Sequence, residues 1–365
     1  MKIAYINGGN EIGGGLSHIV SLLKELREDE ADLIVFEEGP VAEAARQEGI
    51  AVYVFEQHSR YDLTVLLRVR RFIIDQQYAL IHTHGPRANT LISFIKPFIH
   101  VKWVITIHSH PKADFTDRGV KGRVFEKIHL MTFKKADGII AVSNEIREAL
   151  QTFGVSGNRL RVIHNGIKFI GPAKLAASKE QTVFRLITVG RLNKVKGYAL
   201  LMDALKASEF KTWEWVICGD GEEMAHMKRL GQDYGMSDQL IFKGWLTADD
   251  IRKELRKADI LVLPSLSEGF PMIILEAADE KIPVIATDVG DVREVLKDSS
   301  TGWLIPPGNE NELTEALSQA QSLWKMNKLS IKGEKLNAWA IRFSIEQQAK
   351  AVKEFYQEII TKNRK

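Results

Sequence analysis

Short apolar runs alternate along this chain with longer stretches whose apolar residues recur every three or four positions. Lys2–Asn7 is an apolar run that ends in glycines, and Ser17–Leu26 follows with helical spacing. Leu33–Phe36, Val52–Phe55, Leu80–Thr83, Trp103–Ile107 and Gly138–Val142 read as further strands, with a helix over Val41–Glu48. Ser143 stands where its hydroxyl would cap a helix over Asn144–Phe153. Strand–helix alternation of this kind predicts a parallel, doubly wound sheet.

The second half repeats the scheme. Leu186–Val189, Trp215–Cys218, Ile241–Phe242, Ile260–Leu263 and Val284–Ala286 read as strands separated by helices. Between the halves, Asn165–Thr182 carries Gly166, Gly171 and Pro172 without periodicity and reads as a linker. Ser344–Lys362 reads as a long amphipathic helix. The pattern predicts one α/β domain over 1–167, a second over 183–343 and a helical segment over 344–365, with a cleft between the two domains. A chain of 365 residues is long enough for two cores.

Composition narrows the class. An apolar fraction of 45% and a charged fraction of 27% are ordinary for a soluble globular protein. No run approaches ~18 consecutive apolar residues, the span of a transmembrane helix. The apolar run at the N-terminus is too short for a signal peptide. The single cysteine, Cys218, excludes an intrachain disulfide, argues against a zinc–thiolate cluster and points to the cytoplasm. A net charge of +3 is too small to imply nucleic acid. The charge is uneven, however: Lys96–Lys135 holds nine Lys/Arg against Asp114, Asp117 and Glu126. Such a region either faces phosphates or anionic lipid heads, or is a solvated helix face.

Open α/β sheets bind ligands at the carboxyl ends of their strands, and the informative strings fall there. Gly13, Gly14 and Gly15 precede a helix, where small residues let backbone N–H groups approach a phosphate or sugar. A tight turn alone would look the same. Gly190 and Gly197 close a loop that holds Arg191 and Lys196. These two cations suit a diphosphate leaving group, one as a planar fork and one as a mobile point charge. The chain has no D-x-D pair to hold Mg²⁺. Glu268 lies in a loop and Glu276 in the helix that follows, with Pro271 suited to that helix's first turn. The N–H groups of Met272 and Ile273 would meet phosphate oxygens, Glu276 ribose hydroxyls and Glu268 the hydroxyls of a sugar. His108 ends a strand; His108-Ser-His110 and His82-Thr-His84 lack a convincing third metal ligand, which favours a hydrogen bond to a ligand over a metal.

In number and order these strings resemble the retaining glycosyltransferases of family four, which have the GT-B fold of two Rossmann-like domains. The resemblance spans nearly the whole chain: the Gly13–Gly15 loop, His108, Ala141-Val-Ser143, Val162-Ile-His-Asn-Gly166, Gly190-Arg191, Lys196-Gly197, Gly219-Asp-Gly221, the Glu268/Glu276 pair, Pro283–Thr287 and Gly302–Gly308. It implies a nucleotide-diphosphate sugar, a UDP-sugar first, bound mainly by the second domain. Arg191 and Lys196 would grip the diphosphate and Glu276 the ribose. Glu268 and the backbone of Gly269, Phe270, Pro271, Met272 and Ile273 would hold sugar and phosphates. His108 would sit near the sugar. Lys243 and Gly244 would meet the base through backbone atoms, with Gly190, Gly219 and Gly221 supplying the turns. The last helix would pack on the first domain. Neither a metal nor another cofactor is implied. Two departures stand out. Asp291 follows Gly290 where a second glycine is common, which would alter sugar choice. Asp279-Glu280 replaces a common Ala-Gly, which is expected only to lengthen or stiffen a turn.

The expected reaction moves a hexose-type sugar to a hydroxyl acceptor with retention, Arg191, Lys196, Glu268 and His108 serving catalysis. A sugar-nucleotide epimerase of the same fold, or a non-catalytic sugar-nucleotide-binding partner of another transferase, are the alternatives. The basic region, interleaved with Phe94, Phe98, Trp103 and Phe115, fits docking on the inner membrane face beside a lipid-linked acceptor, as in bacterial envelope polysaccharide or glycolipid synthesis. A soluble acceptor stays open.

Overall fold

The computed structural model describes residues 1–11, 14–26, 31–57, 62, 64–109, 119–172, 182–208, 210 and 212–361, without the side chains of 14, 17 and 119–124. Gly13, His110 and the stretch from Lys112 to Arg118, with Asp114, Phe115 and Asp117, lie outside the described residues. The chain divides into two compact units, Met1–Lys168 with Phe343–Lys365, and Phe169–Arg342.

Unit 1 runs β1 (Ile3–Asn7), α1 (Gly14–Glu25), β2 (Ala31–Val35), α2 (Pro40–Gln47), β3 (Val52–Val54), α3 (Thr64–Asp75), β4 (Leu80–His84), α4 (Pro86–Ile95), β5 (Lys102–Ile107), α5 (Gly119–Lys135), β6 (Gly138–Ala141), α6 (Asn144–Thr152) and β7 (Leu160–Val162). All seven strands pair in parallel in the order β3-β2-β1-β4-β5-β6-β7. β1 and β4 are buried along their whole length because helices cover both faces. α3, α4, α5 and α6 enclose one core, around Trp103 and Phe133. α1, α2 and the C-terminal helix (Ile345–Thr361) enclose the other, through Ile345, Val352, Phe355, Tyr356 and Ile359. Ser143 caps α6 by accepting from the Ile146 N–H.

Unit 2 runs β8 (Phe184–Val189), α7 (Tyr198–Ala207), β9 (Trp213–Cys218), α8 (Met224–Asp233), β10 (Leu240–Gly244), α9 (Ala248–Leu255), β11 (Ile260–Leu263), α10 (Met272–Asp279), β12 (Val284–Thr287), α11 (Val292–Val295), β13 (Trp303–Ile305), α12 (Glu310–Lys325) and α13 (Ser330–Ala340). Its parallel order is β10-β9-β8-β11-β12-β13, so this unit too is a doubly wound sheet. In each unit the chain reverses direction beside its first strand, between β1 and β4 and between β8 and β11. These are the switch points at which such sheets open a crevice for ligand.

Three local expectations need correction. The pattern gave neither β7, whose three residues are interrupted by Arg161, nor β13, also of three residues. The first residues of the expected linker are packed into unit 1: the Gly166 N–H donates to Gln348 Oε1 at 2.8 Å, and Ile167 bridges Ser344. Asp279 and Glu280 do more than stiffen a turn. Asp279 is fully buried, accepts from the Gly171 N–H at 2.8 Å and pairs with Arg252, while Glu280 pairs with Arg252 and Arg256. Together they tie α9 and residues 170–171 to the end of α10. Among the described residues no helix is long and apolar enough to cross a membrane.

Candidate active site

The loops that leave the strand ends of unit 2 are fastened to one another by backbone. The Gly190 N–H donates to Cys218 O, Leu192 N–H to Asp220 O, and Glu223 N–H to Leu192 O. A Cβ on Gly219 would fall 1.9 Å from Gly190 O, and one on Gly221 would fall 2.3 Å from Leu192 O. Glycine is required there because backbone approaches backbone. Gly219 N–H also donates to Gly244 O, which brings the end of β10 into the same array. Across the switch point, Leu266 N–H donates to Val195 O, and a Cβ on Gly197 would fall 2.0 Å from Pro264 O. Gly290, at φ +54°, lies against the carbonyls of Glu268 and Gly269, and Asp291 N–H donates to Gly269 O.

This framework carries the charged side chains. Lys196 Nζ donates to Glu268 Oε1 at 2.6 Å, and Ser265 Oγ donates to the same oxygen at 2.6 Å. Both ends of the ion pair are largely withdrawn from solvent, with side chains 22% and 11% exposed. Arg191 is placed differently: it is 69% exposed and pairs with Glu222 at 3.2 Å. Its guanidinium is therefore free to exchange an aqueous carboxylate for a phosphate at little cost. Phe270 and Pro271 are buried, and Pro271 precedes α10, whose first turn is Met272 and Ile273. Glu276 stands one turn further in; burial raises its carboxyl pKa, and Arg252 opposes that shift. Lys243 reaches Glu254 at 3.8 Å. Tyr198, at the start of α7, has its phenol pKa raised by burial and by the charge of Glu268. The sequence offered no sign of Ser265, Glu222 or Tyr198: Glu222 stands 31 positions from Arg191 and meets it only when strand ends align, while Ser265 is brought onto Glu268, three positions on, by the turn of their loop.

Unit 1 gathers histidines at its own switch point. His84 ends β4, His108 follows β5, and His18 comes from α1. His84 Nδ1 lies 3.2 Å from His108 Nε2, and the His18 ring meets His108 edge-on. His82 spends both nitrogens within the fold, on Tyr356 Oη at 2.5 Å and Thr106 Oγ1 at 2.6 Å. Burial drives these imidazoles toward the neutral form: His82 is pushed down to about 3, His108 to about 4, and His18 and His84 well below the usual value, with repulsion from neighbouring histidines adding to the shifts of His82, His18 and His84. His108 also lines a cavity of about 210 Å³ together with Glu11, Gly15, Asn89, Thr106 and Ser109.

His18 supplies the third histidine that the H-x-H strings lacked, and ring nitrogens of His18, His84 and His108 lie within 4.8 Å of one another. Hydrogen bonding commits His18 elsewhere. Gln348 Oε1 accepts from the Gly166 N–H, so Gln348 turns its NH₂ toward His18 Nδ1, 3.4 Å away. When Nδ1 accepts this bond the proton lies on Nε2, so a metal at Nε2 would require the other tautomer. A metal would have to break this chain to use either nitrogen.

Two sequence families match the chain. The family described as Glycosyltransferase Family 4 matches residues 12–169, and that described as Glycosyl transferases group 1 matches residues 173–336. An uncharacterised glycosyltransferase of Methanocaldococcus jannaschii is 26% identical over 354 residues, covering 95% of each chain. An Escherichia coli UDP-Gal:α-D-GlcNAc-diphosphoundecaprenol α-1,3-galactosyltransferase is 25% identical over 315 residues, covering 82% of this chain and 80% of its own. In fold, the chain is similar to the Anabaena protein HepE in complex with UDP-glucose, at a TM-score of 0.83 and 20% identity, over 98% of this chain and 100% of that one.

Proposed function

We propose, for a chain that belongs to glycosyltransferase family 4, that it moves a hexose-type sugar from a UDP-sugar to a hydroxyl acceptor with retention at the anomeric carbon. The observation that carries the reading is the Lys196–Glu268 pair, set across the switch point of unit 2 beside the first turn of α10. It offers a cation for phosphate and a carboxylate for sugar hydroxyls within one small area. The solved HepE structures with UDP and UDP-glucose support a uridine donor.

Binding follows from the parts. Lys196 and Arg191 take the diphosphate, and the N–H groups at the start of α10 add partial positive charge. Glu276 accepts from ribose hydroxyls, and Glu268 from the sugar. The backbone at Lys243 and Gly244 meets the base, and Gly190, Gly219 and Gly221 keep the floor free of side chains. Within unit 1, His108 is held neutral by burial and can give a ligand of its own cavity a hydrogen bond rather than a charge. In the reaction the bond from C1 to the β-phosphate oxygen breaks while the acceptor oxygen bonds C1 on the same face. The acceptor's proton passes to the departing phosphate. Lys196, Arg191 and the helix start stabilise the charge that develops there, which is the role a metal fills in other transferases. The acceptor we assign is a lipid-linked saccharide or a glycolipid, a reading supported by relatives named for a diphosphoundecaprenol and a phosphatidyl-myo-inositol acceptor.

A thermal-shift screen of UDP-, GDP- and ADP-sugars tests the donor. At about 100 times its Kd a donor stabilises by ~2.7 kcal/mol, a shift of roughly 5–10 °C for a unit of this size. A UDP-sugar should give that shift without added metal, and Glu276→Gln should remove it. No shift with any UDP-sugar, or one that needs Mg²⁺, overturns the reading.

A further inference from the structure

We propose that the outer surface of α3, α4 and α5 in unit 1 docks on an anionic phospholipid leaflet. The proposal rests on the lipid-borne acceptor for its purpose, but its test needs no sugar donor.

Among the described residues of unit 1, seven large apolar side chains are exposed. Six of them, Leu67, Ile74, Phe94, Phe98, Phe125 and Met131, lie on this one helix layer, and the seventh is Met1. Exposed apolar residues on a soluble domain are ordinarily scattered; their gathering marks a contact surface. On α3, Leu67, Arg70, Arg71 and Ile74 stand at i, i+3, i+4 and i+7 and form one outward stripe, while Val65, Leu66, Val69 and Ile73 fill the core. Leu67 is 70% exposed. Arg70 Nε donates to Phe98 O at 3.2 Å, which joins this stripe to the turn after α4. Phe94 stands one helical turn before Phe98. Lys135 Nζ donates to Ser93 O at 3.0 Å and ties α5 to the same place. On α5, Lys127, Met131 and Lys134 share an exposed stripe.

Charge selects the occupant. Residues 64–75, 86–98 and 119–135 hold ten Lys/Arg against Asp75 and Glu126, a net +8 in a chain whose total is +3. Glu37 engages Arg87, Asp137 engages Lys96 and Asp75 reaches Arg71 at 3.7 Å, but Arg68, Arg71, Lys127 and Lys134 stay exposed. A protein interface depletes lysine from its centre. Phenylalanine, leucine and methionine ringed by lysine and arginine suit an anionic bilayer, where apolar tips enter the acyl boundary and each basic group near the surface contributes about 1 kcal/mol.

Flotation of the full chain with phosphatidylcholine vesicles, with and without phosphatidylglycerol, tests this. Binding should require phosphatidylglycerol and weaken with salt. The triple variant Leu67→Ser, Phe98→Ser, Met131→Ser, whose sites lie on the surface, should keep its circular dichroism melt and lose at least about tenfold in binding; Arg71→Glu with Lys134→Glu should do the same. Failure to bind, equal binding to neutral vesicles, or a dimer in light scattering that the triple variant dissolves would each overturn the proposal. A failed donor screen with intact vesicle binding would instead remove only the transferase reading.

Discussion

Arg191 and Lys196 are neighbours in the loop after β8 and carry the same charge, yet the fold treats them differently. Lys196 is held by Glu268 inside the fastened loops, whereas Arg191 reaches outward to an exposed Glu222. Lys196→Ala therefore strips the Glu268 carboxylate of its counter-charge in a largely buried place, where the loss of a charge-assisted hydrogen bond costs about 1–3 kcal/mol. Arg191→Ala removes a solvent-screened pair and should leave the melting temperature unchanged. Both remove a group assigned to the departing phosphate, so turnover with the identified donor should fall by about 10²–10³ in each, a loss on the scale of one stabilising donor. Calorimetry with single-turnover kinetics separates the two effects. Wild-type turnover in a folded Arg191→Ala protein would take Arg191 out of the chemistry. Each residue was visible in the sequence, and so was Glu268. Their partnerships were not, because Lys196 and Glu268 stand 72 positions apart and meet only through the order of the strands.

At the scale of elements, the sequence showed most strands because a short apolar run between helical stretches is enough to register, even one as brief as Ile241–Phe242. It missed β7, whose short run is broken by Arg161, and β13, and it read Asn165–Lys168 as linker because Gly166 signals a turn, although that glycine is needed for close packing: a Cβ would fall 2.5 Å from Ser344 O. The glycine loops of unit 2 were legible as positions but not as a zipper. Gly219→Ala tests that zipper. A methyl 1.9 Å from Gly190 O at φ +141° must part the loops after β8 and β9, at about 2–4 kcal/mol, and UDP affinity should fall with it. An unchanged Kd by titration calorimetry would show that these loops do not set the donor floor. The histidines concern β4, β5 and α1 together. Their folded pKa values lie below the unfolded value near ~6.5, so the unfolded chain binds more protons as pH drops, and stability falls with pH. Each buried neutral histidine gives a slope of up to ~1.4 kcal/mol per pH unit between about 6.5 and its folded pKa. His82 and His108 alone reach ~3 kcal/mol per unit, against a domain stability of 5–15 kcal/mol. Unit 2 holds one histidine, His226, and it is exposed. From pH 7 to 5.5 the calorimetric transition of unit 1 should drop well ahead of that of unit 2; parallel drops would deny the cluster its role.

At the scale of the whole molecule, the two units depend unequally on the chain's last segment. Ile345, Val352, Phe355, Tyr356 and Ile359 are buried against α1 and the sheet of unit 1, and Tyr356 Oη bonds both His82 and Tyr5. Burial at about 1.5–3 kcal/mol per large apolar side chain makes the helix worth roughly 8–15 kcal/mol to unit 1 as an upper estimate, which is the entire stability of an ordinary domain. Unit 2 ends at Arg342 and has its own core, around Trp215, Phe184 and Leu317. A chain cut after Arg342 should therefore lose the transition of unit 1 and keep that of unit 2. Every group assigned to the nucleotide, Arg191, Lys196, Glu268 and Glu276, lies in the unit that survives. The truncated chain should bind UDP within a few-fold of the full chain's Kd while transferring no sugar. If unit 2 melts cooperatively in that chain yet UDP no longer binds, the nucleotide is held by unit 1 as well, and the division of labour drawn from the switch point of unit 2 is wrong.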